Sequence, residues 1–565
     1  MPPCRQEETR GPPNPSGVQK PGRAFEIAAS VGLAALGVWL RLPYRAAILY
    51  EHDSFLFARA MERYDLAQGQ PHPPGYIFYV FLAKLVSLLA HDPNRSLLAV
   101  NIAFGAAGCV LVFWLGRMLG GRLAGLTAGL FFLTSPLVWF HNEVAIVYMV
   151  EGALAAAIAL MAWGVLRGRV RWIVPSALLL GVAGGFWPFV TAFLLPMWLF
   201  ASARYGARRA LAGVGAIIAG SLTWYVPNAA LMGGAGAYNR LVLGYGGPAM
   251  AGGLAANVHW ASFAHAASLI WNWTWSGLGW AMLGIAYLAI SSLWEKRRTW
   301  LLPVRAQDWT MLGLWVVPAL LFYLLVHAAR PGYILVFFPG LVIFAALGLR
   351  AFAGDLGSLF VIPSRPSGPR TGPSGSRRGR RGIPDPAGAP RGAPLHLQPE
   401  RAFAAIILAV ICFPLLVWQT GIFLFGSGPF SYPRIEANVL TISERINFIK
   451  ERFRPDDTVV LASDWAAFAR YYLKGYRVYD ATFDSADVAP VAGPGEVKAS
   501  NVVLFDGLLN KYDESPEHFV IERLPISGAI AFTRLGPNER LVVRPGHFRV
   551  ETAEARAQTG NAGLP

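Results

Sequence analysis

Charge is scarce in this chain. Asp, Glu, Lys and Arg make up only 15% of its 565 residues, against 54% hydrophobic residues. Soluble domains carry about a quarter charged residues. A soluble protein is therefore excluded, as are a coiled coil, a collagen-like chain and a disordered one. Cysteine is scarcer still, with Cys4 in the N-terminal tail and Cys109 and Cys412 inside apolar runs. Three such positions exclude a disulfide framework, a secreted mini-protein and a cysteine metal site. No internal repeat is evident, which weighs against the inverted-repeat transporters.

What the chain has instead is long apolar runs. They lie near residues 24–42, 76–90, 97–116, 123–140, 144–166, 172–186, 189–203, 210–227, 265–294, 309–327, 333–350 and 402–425. Runs of this length read as membrane helices. The net charge is 49 − 33 = +16. The basic residues sit between apolar runs and in one low-complexity loop, so the positive-inside rule accounts for them without a nucleic-acid partner.

Charge also sets the topology. With the N-terminus cytoplasmic, the inner loops hold Arg117 and Arg122, then Arg167, Arg169 and Arg171, then Arg204, Arg208 and Arg209, then Lys296–Arg298 and Arg305, and the Arg-rich stretch after Arg350. All fall on one side only if one early segment does not cross. Segment 76–90 is about 22 Å long at 1.5 Å per residue, against a hydrocarbon core of about 30 Å, and it carries Lys84 in its middle. It reads as a re-entrant or juxtamembrane helix on the outer face.

The expected fold is a polytopic α-helical membrane protein of about 11 spans plus that helix, with a C-terminal extracytoplasmic α/β domain. Its parts are a disordered cytoplasmic tail (1–23), a membrane module (24–350), a disordered cytoplasmic loop (351–401), a last membrane helix (402–427) and the α/β domain (428–565). Residues 363–394 hold 8 Pro, 7 Gly and 7 Arg, a composition that cannot bury a core. The Ala, Gly, Arg and Pro bias points to a GC-rich bacterial genome and hence to the bacterial inner membrane. Within the tail domain, 435–453 reads as an amphipathic helix and 457–462 as a buried strand, with further strands at 476–479, 501–505, 519–523, 529–534 and 547–550.

Chemistry concentrates in the first outer loop, Tyr50-Glu51-His52-Asp53-Ser54, followed by a helix and then Gln70-Pro71-His72-Pro73-Pro74-Gly75-Tyr76. Ionisable groups at the membrane are functional candidates. Paired carboxylates serve as general bases or hold a divalent cation; no metal or other cofactor is assigned. The plainer readings are that Asp53 or Ser54 caps the following helix and that the prolines only start the next one.

A loop with Glu51-His52-Asp53 and, twenty residues on, His72-Pro73-Pro74-Gly75-Tyr76 resembles the GT-C glycosyltransferases, polytopic enzymes that use polyprenyl-phosphate sugars. The nearest branches in motif are the protein O-mannosyltransferases and the aminoarabinose transferases. One branch reads Asp-Ser-Gly-Glu then His-Pro-Pro-Gly-Tyr-Pro. Here Phe55-Leu56 stand for Gly-Glu and Ile77 for the final Pro. Gly116-Arg117 to Gly121-Arg122, Ser135-Pro136…Trp139, Val147-Tyr148 and Arg330-Pro331-Gly332-Tyr333 continue the likeness across 24–350. Ile146 stands where an acid is expected, with Glu143 as the available substitute. Phe186-Trp187-Pro188 replaces a Lys-Gly-Pro, so no lipid-phosphate lysine sits there.

The resemblance implies an inverting sugar transfer from a polyprenyl-phosphate donor to an extracytoplasmic hydroxyl on a protein, lipid or glycan. Asp53 is the implied base and Glu51 the second acid. His72, Arg330, Tyr333, Asn142, Glu143, Tyr148 and Arg59 are the implied substrate contacts. Plainer roles stand beside these: Arg330 at the interface by snorkelling, Tyr148 in packing, Arg59 on a solvated helix face. Trp271, Trp273 and Trp275 either line the lipid groove or form an interfacial belt. The rival function is a transporter or lipid flippase, which leaves the paired acids and the folded tail unexplained.

Overall fold

The computed structural model describes residues 23–257, 259–293, 305–327, 330–360, 399–490 and 496–552. The expected tail at 1–23, the bulk of the 351–401 loop and the Lys296–Arg298 cluster lie outside these residues, apart from Arg23 and the helix ends that border the loop.

Helices come first: α1 (Arg23–Trp39), α2 (His52–Glu62), α3 (Ile77–Ala90), α4 (Pro93–Thr134), α5 (Pro136–Glu143) and α6 (Tyr148–Leu166). Then follow α7 (Ile173–Ala183), α8 (Pro188–Ala203), α9 (Ala207–Leu231), α10 (Ala235–Asn257), α11 (Trp260–Leu278), α12 (Met282–Leu293), α13 (Ala306–Leu325), α14 (Phe338–Phe360) and α15 (Pro399–Phe425). Among the described residues seven helical segments are long and apolar enough to cross a membrane, and α3, α7 and α8 are shorter apolar helices. This is an integral multi-pass membrane protein.

Glycine geometry shapes the bundle at α4. Gly121 takes φ 81° and ψ −176°, a conformation that only glycine adopts without strain. The 42-residue element is thereby folded into a hairpin, and a Cβ on Gly125 would lie 2.5 Å from the Phe113 carbonyl oxygen. The two expected spans on either side of Arg117–Arg122 are thus one continuous turn apart. Arg117 and Arg122 both reach Glu26 of α1, at 2.7 and 3.0 Å.

The basic loops meet at this end. Arg167 pairs with Asp308 at 3.1 Å and donates to the Met118 carbonyl; Arg204 reaches Gln307. The acid loop occupies the opposite end. Both ends of α3 are tied there: the Phe78 amide donates to the Gly185 carbonyl, and Asn94, just past α3, donates to the Ala46 carbonyl at 2.8 Å. This 14-residue helix leaves Phe81, Leu85, Leu88 and Leu89 exposed.

Two stretches differ from the sequence expectation. Residues 228–264 fall between two of the apolar runs, yet 235–257 are helical. Tyr238, Val242 and Tyr245 recur at i, i+4 and i+7, and Tyr238 is buried against Leu66 and Ala229. Tertiary packing here overrides weak propensity. The single segment 265–294 is two helices, broken at Gly279, where φ is 53° and a Cβ would strike Trp418.

The tail domain contains α16 (Tyr432–Arg452), β1 (Thr458–Ala462), α17 (Ala466–Tyr472), β2 (Arg477–Asp480), β3 (Ala486–Ala489), β4 (Val497–Lys498), β5 (Asn501–Leu504), β6 (Val520–Leu524), β7 (Gly528–Arg534), β8 (Glu539–Arg544) and β9 (His547–Thr552). One sheet runs β2-β1-β5-β7-β6, with β2, β1 and β5 parallel. Val460 pairs with Val478 on one side and Val503 on the other. Every residue of β1 is buried, the expected state of a parallel strand covered on both faces. The second sheet runs β4-β3-β8-β9; none of β3, β4 or β8 was anticipated.

Candidate active site

The acid loop enters α2 through Glu51, not through Asp53 or Ser54. Glu51 has extended backbone, and its amide donates to Ser54 Oγ at 3.3 Å. Asp53 is therefore inside the first turn and free of the capping role. Its carboxylate faces a cleft of about 490 Å³ that is also lined by His72, Tyr76, Trp187, Tyr245, His327, Arg330 and Tyr333.

The His72–Tyr76 stretch folds back on itself. Gly75 has φ 119°, and a Cβ there would lie 2.5 Å from Tyr64 Oη. The Tyr64 hydroxyl sits 2.8 Å from both the Gly75 carbonyl oxygen and Asn228 Oδ1. The Tyr238 hydroxyl donates to the Pro74 carbonyl at 2.8 Å. Helices α9 and α10 thus clamp the proline turn, and the turn presents His72 to Asp53. His72 Nδ1 stands 3.8 Å from Asp53 Oδ1, and its Nε2 stands 3.1 Å from the Tyr76 hydroxyl.

Across the cleft, Arg330 Nη1 lies 3.9 Å from Glu51 Oε2, with half of the Arg330 side chain exposed. Tyr333, three residues on, is sandwiched between Trp187 and Tyr323, with ring centroids 5.4 and 5.3 Å away and planes nearly parallel. Tyr148 meets it edge-on at 5.5 Å. Each ring of this aromatic wall is packed against its neighbours in an offset-stacked or edge-on arrangement, the geometries aromatic pairs prefer.

Burial sets the proton affinities. It pushes the Glu51 carboxyl above the ordinary glutamate range, opposed by Arg330 and reinforced by Asp53. It pushes His72 below its ordinary value, opposed by the Asp53 charge. Partial burial works against the Arg330 charge, but Glu51 prevails and holds the guanidinium above its usual value. The cleft thus brings together two carboxyl groups, an imidazole whose neutral form burial favours and a guanidinium held as a cation. That combination can accept a proton and stabilise an anion in one enclosed space.

Of the sequence candidates, Asp53, His72, Arg330 and Tyr333 line the cleft, and Glu51 and Tyr148 contact its walls. Asn142 and Glu143 do not line it; they are 1% and 0% exposed within the bundle. Helix α5, which carries them, is buried along its whole length. Arg59 is on α2 outside the cleft lining. Trp271 is exposed, stacks on Trp275 and is not part of the cleft lining. His327, Tyr76 and Tyr245 were not singled out. Tyr76 belonged to the motif, and His327 stood three residues before Arg330. Tyr245 lies in a Gly-rich segment that carried no signal. Among the described residues, no three His, Cys, Asp or Glu side chains converge as a metal site would require.

Residues 64–206 match the family model described as Protein O-mannosyl-transferase TMEM260 N-terminal domain. The likeness of this chain is to the GT-C glycosyltransferases. The matched quarter of the chain contains His72, Tyr76 and Tyr148 and leaves Glu51, Asp53 and Arg330 outside it. Among solved structures, ArnT from Cupriavidus metallidurans bound to undecaprenyl phosphate is 13% identical, covering 90% of this chain and 97% of that one, with a TM-score of 0.49. The archaeal oligosaccharyltransferase AglB from Archaeoglobus fulgidus, in complex with an inhibitory peptide and a dolichol-phosphate, is 13% identical over 96% of this chain and 78% of that one, with a TM-score of 0.44. No curated protein matches the sequence.

Proposed function

We propose that the protein moves a sugar from a polyprenyl-phosphate donor to an acceptor hydroxyl, with inversion, on the extracytoplasmic face of the bacterial inner membrane. The observation that carries this reading is the cleft itself: Asp53 and Arg330 face one cavity at the end of the bundle opposite the basic loops. Asp53 takes the proton of the acceptor hydroxyl as its oxygen attacks the anomeric carbon. The bond from that carbon to the phosphate oxygen breaks, and its electron pair stays on the phosphate. Arg330 meets the charge that develops there. His72, neutral and beside Asp53, orients the carboxylate. The description of the matching family favours a protein hydroxyl as acceptor and a hexose such as mannose as the sugar.

The test uses purified protein in lipid with a radiolabelled polyprenyl-phosphate hexose and a hydroxyl-bearing peptide. Wild type should release sugar from the lipid and Asp53→Asn should not, with the fold retained. Equal release by both would move the base elsewhere. No release by either, across several donor sugars, would sink the transferase reading.

A further inference from the structure

The acid loop is held from two sides. On the bundle side, the Ala46 amide donates to the Glu143 carbonyl at 2.9 Å, and Asn94 donates to the Ala46 carbonyl. On the other side stands α17 of the tail domain. The Leu49 amide donates to the Tyr472 hydroxyl at 2.9 Å. The Phe55 ring, 1% exposed, meets Phe468, Tyr471 and Tyr472 edge-on at 4.6, 5.4 and 6.0 Å. Leu49 is two residues before Glu51, and Phe55 is two residues after Asp53. Both carboxylates therefore lie between two points fixed by the same seven-residue helix.

That helix is itself anchored. Ala466, Phe468 and Ala469 are buried, and the loop after it is tied to α16 by the Tyr476 hydroxyl, which donates to the Phe453 carbonyl at 2.6 Å. Lys474 and Glu62 make only an exposed contact of 4.0 Å at the rim, which contributes little. The hydroxyl–amide bond and the ring cluster hold the interface.

We propose that Tyr472 is a positioning residue: through Leu49 and Phe55, the tail domain sets where Glu51 and Asp53 stand in the cleft. A shift of about 1 Å in a reacting group can cost about a hundredfold in rate, so the clamp acts on turnover more than on donor binding. Its activity arm rests on the transfer reaction proposed above.

Tyr472→Phe tests it in the full chain in lipid, since it removes the hydroxyl and keeps the ring against Phe55. Three readings are made: hydrogen exchange across residues 47–57, kcat against donor KM, and thermal unfolding. The proposal expects exchange at the Leu49 amide to rise about tenfold, the scale of one net hydrogen bond, with exchange elsewhere unchanged. It expects kcat to fall while donor KM and the unfolding midpoint hold. Unchanged exchange, or faster exchange with unchanged kcat, would overturn it. If wild type transfers no sugar, the transferase reading fails on its own, and the exchange result alone decides whether α17 holds the loop. Should Tyr472→Phe fail to fold, Phe468→Leu loosens the ring contact with Phe55 and is read in the same way; Lys474→Ala is the rim control expected to change nothing.

Discussion

In the proposed transfer Asp53 is the proton acceptor and Arg330 the fixed cation, and each role makes its own prediction. Asp53→Asn should lower kcat by about 10²–10⁴-fold, the usual worth of a positioned general base, with circular dichroism unchanged. Arg330→Ala should lower kcat/KM by about 10²–10³-fold, as loss of one preorganised donor to a developing anion does. Arg330→Lys should recover only part of this, because an ammonium cannot offer the same planar fork. His72 makes a prediction about pH. Its folded form binds a proton less readily than the unfolded chain, whose histidine titrates near 6.5. Below that value the unfolded state takes up more protons, so stability is lost as pH falls through 6.5 toward the depressed folded value. Thermal midpoints measured across this window should drop, and His72→Gln should flatten the drop.

Elements place these residues, and they differ in how openly the sequence declares them. The turn between α2 and α3 is the sharpest case. Gly75→Ala should cost about 1–3 kcal/mol, the scale of a residue forced into a sparsely populated conformation, because the new methyl meets the Tyr64 hydroxyl. Unfolding in detergent would register the loss, and donor KM should rise as His72 moves. Helix α16, strand β1 and the α4 hairpin were legible because hydrophobic period, burial and paired glycines and arginines all spoke locally. Asp53, His72, Arg330 and Tyr333 were legible because their motifs are unusual at a membrane surface. Helix α10 was not, since its glycines argue for a loop until Tyr238 finds Leu66 and Ala229. Tyr245 reaches the cleft only by that packing. The enclosure of Asn142 and Glu143 was not legible, because polarity suggests exposure and only the three-dimensional chain shows α5 buried. Strands β3, β4 and β8 are short and pair at long range, which no local pattern announces.

Across the whole molecule, chemistry and basic charge occupy opposite ends. Glu26 gathers Arg117 and Arg122 at one end, while the cleft and the tail domain share the other. The positive-inside rule predicts that the cleft end faces away from the cytoplasm. Cysteines introduced at Phe483, which is 77% exposed, and at Arg169 check this. An impermeant thiol reagent applied to intact cells should label Phe483→Cys at once and Arg169→Cys only after permeabilisation. The reverse pattern would place the cleft in the cytoplasm.

The bond from Leu49 to Tyr472 spans 423 positions of sequence. At about 5–20 residues per second of synthesis, roughly 20–85 seconds separate the emergence of its two ends from the ribosome. During that interval the bundle is threading into the bilayer with its carboxylates still unset. In the proposed transfer, the clamp's share of turnover therefore becomes available only after Tyr472 has been made and docked.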